Sequence, residues 1–97
     1  MVNLQDILYQ VPLRSVNGNL QTSISGLQID SRKVETGNCF IAIKGVQADG
    51  HQFIDTAILK GATVIVCEEL PAALREDITY VQVENGSEAV GWMAHHY

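Results

Sequence analysis
Basic residues are scarce: six Lys and Arg stand against eleven Asp and Glu in 97 residues, for a formal charge of −5. That balance gives no electrostatic support for binding nucleic acid or an anionic membrane surface. Cysteine is nearly absent too. Cys39 and Cys67 lie in the apolar runs NCFIAI and TVIVCEE, with no CxxC pair and no Cys/His ligand spacing. This points to buried free thiols in a reducing compartment. No apolar run approaches the ~20 residues a membrane span needs, and no secretory signal opens the chain. The expectation is a soluble, cytoplasmic protein. There is no GxxxxGK[ST] loop and no GxGxxG after a strand, so nucleoside triphosphate and dinucleotide binding lack their usual signatures. Of the three histidines, His95 and His96 are adjacent on one helix and cannot face the same way, which reads as solvated surface and not a metal site. No Ser/His/Asp or Cys/His arrangement is legible, so neither a catalytic residue nor a metal ligand is expected here.

What remains is an ordinary globular composition, 46% hydrophobic and 18% charged, of a length that makes one small domain with a single core. Asn3 can cap a short helix carrying Leu4, Ile7, Leu8 and Val11, which Pro12 ends. Asn17-Gly18 predicts a hairpin between Leu13–Val16 and Leu20–Ile24. Leu27–Asp30 reads as a strand or as the continuation of the one before it. A turn at Glu35–Asn38 has Gly37 at positive φ, and Cys39–Ile43 follows as a strand buried on both faces. Phe53, Ile54, Ala57 and Ile58 mark the core face of a helix ending at Lys60-Gly61, and Gly61 is the joint to an interior strand at Thr63–Cys67. Pro71–Arg75 suggests a turn of helix and Ile78–Val83 a strand. Ser87 can cap a last helix with Ala89, Val90, Met93, Ala94 and Tyr97; that helix stops at the chain end, a hint of truncation. No repeat, low-complexity tract or linker interrupts. The sum is an α/β domain, a mixed sheet of about five strands with packed helices.

Two polar clusters stand out between Gly26 and His51. Asp30-Ser31-Arg32 follows a strand, where α/β sheets hold ligands. Ser31 can donate to a phosphate or a base carbonyl, and Arg32 can fork onto a carboxylate or phosphate. Equally, Asp30 and Arg32 can form an ion pair that only fixes the turn. In the second cluster, Gly45 and Gly50 permit close backbone approach, and Val46–Ala48 can present main-chain groups to a flat heterocycle. An ordinary strand-to-helix loop turning at Asp49-Gly50 accounts for it as well. Arg32, Lys33 and Lys44 are half of the chain's basic residues. They suit a small anionic ligand, or are scattered surface charges.

At these clusters the sequence resembles the N-terminal domain of the Mur ligases, ATP-dependent enzymes that add amino acids to the peptidoglycan precursor. The matching residues are Asp30-Ser31-Arg32, Gly37-Asn38-Cys39-Phe40-Ile41-Ala42 (where the family has G-D-x-F-[VI]-A), Lys44-Gly45, Asp49-Gly50-His51, Phe53-Ile54, Ala57, Gly61-Ala62 and Cys67-Glu68. They run in the family's order from Gly26 to Tyr97. Gln47 before Ala48-Asp49-Gly50, Ile78–Val83 and Met93–Tyr97 resemble the branch that adds the third residue.

The resemblance implies that residues 1–97 are the single UDP-binding domain, with the ATP-binding central and C-terminal domains outside this chain. It implies binding of the uridine diphosphate end of UDP-N-acetylmuramoyl-L-Ala-D-Glu by Ile29 (main chain beside the uracil), Ser31 (hydroxyl), and Val46, Gln47 and Ala48 around the nucleotide. Asp30, Arg32 and Lys44 are supporting candidates. At Val46 only a backbone role carries over, and Asn38 replaces the family's Asp. The domain itself needs no cofactor. ATP and Mg²⁺ serve the full-length enzyme, where the D-Glu carboxylate becomes an acyl phosphate that the incoming amine attacks. The third residue is diaminopimelate or lysine, diaminopimelate being the commoner choice. The alternatives are the equivalent domain of the D-Ala-D-Ala-adding ligase, or a free-standing nucleotide-binding or interaction module.

Overall fold
The computed structural model describes residues 1–45 and 48–97. Its centre is a five-stranded sheet in the order β2-β7-β6-β5-β4, where β2 is Leu13–Asn17, β4 Gly26–Gln28, β5 Asn38–Ile41, β6 Val64–Cys67 and β7 Thr79–Val83. The strands β4 to β7 run parallel and β2 joins β7 antiparallel, which makes the sheet mixed. A separate ribbon pairs β1 (Val2–Asn3) with β3 (Ser23–Ile24).

The apolar runs of β5, β6 and β7 are explained by burial on both faces. Cys39, Ile41, Val64, Val66, Val81 and Val83 point to one side, beneath α1 (Leu4–Ile7) and α3 (Gly86–His96). Phe40, Ala42, Ile65, Cys67 and Tyr80 point to the other, beneath α2 (Ile54–Leu59). Helices therefore cover the sheet from both sides. Both cysteines are free and buried. Burial raises the Cys39 thiol far above its ordinary range and pushes Cys67 up to about 11, which leaves both thiols inert as nucleophiles. Gly37 and Gly61 take positive φ, 86° and 115°.

Four expectations need correction. The hairpin at Asn17-Gly18 does not form. Gly18 does turn with φ 123°, but β2 pairs with the distant β7, in register Val16↔Val81 and Asn17↔Tyr80. That pairing covers β7's open edge and is tied by Ser15 Oγ donating to Gln82 Oε1 at 2.9 Å. After the turn the chain is held along Thr79, whose hydroxyl accepts from the Asn19 amide. A local turn signal thus lost to long-range strand pairing. Second, Pro71–Arg75 forms bends and no helix. Third, the cap of α3 is Asn85, not Ser87: its side chain accepts from the Glu88 amide at 2.9 Å. Asn85→Ala should therefore cost about 1 kcal/mol in urea unfolding, while Ser87→Ala should cost only a few tenths. Fourth, Phe53 is 40% exposed and sits on a short 3-10 turn, Gly50–Phe53, ahead of α2.

The histidine pair also differs from a plain solvated surface. His96 is half-buried and stacks on Trp92 with centroids 5.9 Å apart, and Tyr9 meets it edge-on at 5.5 Å. Among the described residues no group of three or more His, Cys, Asp or Glu could hold a metal ion, and no helix is long and apolar enough to cross a membrane.

Candidate functional site
The loops leaving β4 and β5 at their carboxyl ends meet the start of α2 around an open cleft of about 700 Å³. Ligands of parallel α/β sheets bind at this edge. Ile29, Asp30, Ser31 and Arg32 form one wall, Ile43, Ala48 and Gly50 the second, and Phe53 and Thr56 the end. The two polar clusters, separated by a whole strand in sequence, are thus brought onto one site. Ile29, Ser31 and Ala48 all line it. Val46 and Gln47 lie outside the described residues.

The first wall is shaped by its own side chains. Asp30 caps a 3-10 turn, Ser31–Lys33, by accepting from the Arg32 amide at 3.0 Å. The Arg32 guanidinium grips the same carboxylate with two bonds, Nε to Oδ1 at 3.0 Å and Nη2 to Oδ2 at 2.9 Å. These contacts, the side-chain bonds first, hold the Asp30 carboxyl down at about 2 and raise the guanidinium. The pair therefore fixes the turn, as one of the two readings had it. Arg32 remains largely exposed at the rim. Ser31 is buried, 7% exposed, on the 3-10 turn that packs against α2. Ile29 is 58% exposed, an apolar side chain left bare on the cleft wall.

The second wall is a narrow loop closed by backbone bonds. Gly50 N donates to Ile43 O at 2.8 Å and Gly45 N to Ala48 O at 2.9 Å. Lys44 bridges Asp49 across the loop base. Its ammonium is held by Glu69 at 3.0 Å and lies 3.8 Å from Glu68, and these carboxylates raise its pKa. Lys44 is not among the residues lining the cleft. Arg32 is thus the single cation among the described lining residues.

Asp49 caps the next 3-10 turn by accepting from the His51 amide at 2.9 Å, and its Oδ1 lies 2.7 Å from His51 Nδ1. These bonds, the amide's first, lower the Asp49 carboxyl. On the far side of the ring, Nε2 accepts from the amides of Glu68 and Glu69 at 3.0 and 3.2 Å.

Sequence reasoning missed Ile43, Phe53 and Thr56. Helical spacing assigned Phe53 to the core. The signal against that was Asp49-Gly50 just upstream, which starts a 3-10 turn and rotates Phe53 off the α2 register. Nothing in the spacing marked the role of His51, since the two amides that meet its Nε2 lie 17 and 18 residues away.

The architecture is that of a mixed, mainly parallel α/β sheet with a cleft at its carboxyl edge, walled by an apolar side chain, a buried hydroxyl and a closed loop. The profile described as "Mur ligase family, catalytic domain" matches residues 23–97, and the chain belongs to the Mur ligase family. Over 90 residues it is 48% identical to the UDP-N-acetylmuramoyl-L-alanyl-D-glutamate--2,6-diaminopimelate ligase of Bacteroides fragilis, covering 93% of this chain and 19% of that protein. A crystal structure of MurF from Acinetobacter baumannii superposes with a TM-score of 0.79 at 25% identity, over 98% of this chain and 20% of that one. MurF ligase from Thermotoga maritima in complex with ADP matches with a TM-score of 0.62 at 30% identity, over 75% of this chain and 16% of its own. The chain spans about a fifth of the length of the curated relatives it matches.

Proposed function
We propose that this chain is the substrate-anchoring domain of a cytoplasmic ligase that adds meso-diaminopimelate to UDP-N-acetylmuramoyl-L-Ala-D-Glu in peptidoglycan synthesis. The observation that carries the reading is the convergence of Ile29, Ser31 and Ala48 on one cleft. Ile29 and Phe53 offer apolar surface to a flat base, Ser31 offers a hydroxyl, and the loop at Ala48 offers main-chain groups at an edge. Val46 and Gln47 belong to the same proposal through the family pattern. The choice of the third-residue ligase over the D-Ala-D-Ala-adding one rests on the 48% identity to a diaminopimelate ligase, against 25–30% to the MurF structures.

The described residues do not fit ATP or Mg²⁺. No phosphate loop occurs in the sequence, and no acidic cluster stands ready for a cation among the described residues. In this reading, carboxylate activation by ATP belongs to other domains of a longer ligase. Here the nucleotide is a handle: binding energy gained far from the reacting carboxylate holds that end in place for the chemistry. The 97-residue chain alone should show neither ATPase nor ligase turnover.

Calorimetric titration tests the assignment. UDP should bind and ADP should bind far more weakly, and Ser31→Ala should weaken UDP by about 3- to 10-fold, the worth of one hydrogen bond. Because Asp30 already holds Arg32, added salt should change the UDP affinity little. Equal affinity for UDP and ADP, or a steep salt dependence, would remove the support for a base-reading cleft.

A further inference from the structure
We propose that His51 is the positioning residue of this cleft, acting through the loop that carries Ala48; the inference rests on the nucleotide reading above. Backbone bonds close the loop on itself and onto the end of β5, from Gly45 N to Ala48 O and from Gly50 N to Ile43 O, and these bonds do not reach β6. The His51 ring supplies that tie. Its side chain is 12% exposed and is bonded on both nitrogens.

Nε2 accepts two backbone amides, those of Glu68 and Glu69, so it carries no proton. Nδ1 therefore bears the hydrogen, and it donates that hydrogen to Asp49 Oδ1 at 2.7 Å. Only the neutral Nδ1–H form makes all three bonds. The two amides lie just past the last paired residue of β6, Cys67, where the ladder no longer satisfies them. One ring thus meets two donors that lie beyond the β6 ladder and clamps Asp49, which adjoins Ala48 and Gly50 on the cleft wall.

The clamp reaches further. Glu68 Oε2 accepts from Gly86 N at 2.8 Å at the start of α3, and Gln82 Nε2 donates to Glu68 O at 3.0 Å. The loop is thereby fastened to β6, β7 and α3 together. Ligand geometry is set by the rigid sheet, although the contacts are made by a loop.

The test uses the 97-residue chain with UDP as the probe. His51→Phe keeps the bulk and removes the three bonds of the ring, leaving the backbone amide bond to Asp49 in place. It should weaken UDP at least fivefold, and without ligand it should raise hydrogen exchange at the Gly45 and Gly50 amides while Ile65 and Val66 stay protected. Asp49→Asn keeps an acceptor for both His51 donors and should bind UDP within twofold of wild type; Asp49→Ala should behave as His51→Phe does. The imidazole ¹⁵N spectrum of the unaltered chain should show an unprotonated Nε2. Wild-type UDP affinity in His51→Phe, or a protonated Nε2, overturns the inference. If the unaltered chain does not bind UDP yet His51→Phe still loosens Gly45 and Gly50, the clamp stands and the nucleotide reading alone falls.

Discussion

Gly50→Ala is expected to weaken UDP binding by about tenfold or more and to lower stability by about 1–3 kcal/mol. A Cβ at this position would sit 2.7 Å from Ile43 N, 2.9 Å from Ile43 O and 3.2 Å from Ala42 Cα. All three are backbone atoms just past the end of β5, and β5 is an interior strand that cannot move aside without disturbing β4 and β6. The loop must give way instead. Relief would stretch the bond from Gly50 N to Ile43 O, which is 2.8 Å long, and displace Ala48 and Asp49 with it. Calorimetry with UDP and urea unfolding read the two effects separately. Unchanged affinity in a folded Gly50→Ala chain would mean that the second wall of the cleft does not touch the ligand.

Phe40→Ala should cost about 3–5 kcal/mol. Phe40 is fully buried on the α2 side of β5, packed in one cluster with Ile54, Ala57, Ile65 and Tyr80. Truncation removes the ring's transfer free energy and leaves a void that flanking strands, fixed by their own ladders, cannot close. Domains of this size typically hold 5–15 kcal/mol in total, and each kcal/mol moves the melting temperature by about 4–8 °C. A fall of more than about 10 °C is therefore expected by calorimetric scan. A shift of only a few degrees would contradict the packing described for this face. Because α2 carries Thr56 and follows Phe53, both on the cleft, the variant should also bind UDP poorly at temperatures where it stays folded.

The interior of this fold was legible because its sequence pattern has one cause. Runs such as CFIAI and VIVC need burial on both faces, and that requires a parallel sheet with helices above and below. Gly61 between helix and strand carried the same message. The edge of the sheet was not legible in this way. Asn17-Gly18 is a strong local signal, yet pairing β2 with a strand more than 60 residues away buries more surface than a hairpin with the polar segment that follows. The cap of α3 was misplaced for a simpler reason: Ser87 is a good capping residue, and only the bond that the Glu88 amide donates to Asn85, two positions earlier, shows where the helix starts. At the site, Ile29, Ser31 and Ala48 were named from family pattern, and the fold shows them sharing one cleft. Asp30 and Arg32 could be read two ways because a two-residue spacing suits both a ligand fork and an internal pair; the structure shows the internal, bidentate pair. His51 was named only as part of the family pattern, and its role was not legible, since it depends on the Glu68 and Glu69 amides just past β6, beyond a complete helix.

The most direct test of the central claim is an amide-resolved NMR titration of the 97-residue chain with UDP. The account predicts shifts at Ile29, Ser31, Ala48 and Gly50, in the two loops at the carboxyl edge of the sheet, while the far end of α3 around Trp92 and His95 stays unchanged. No shift at saturating UDP, or shifts centred away from the cleft, would contradict it.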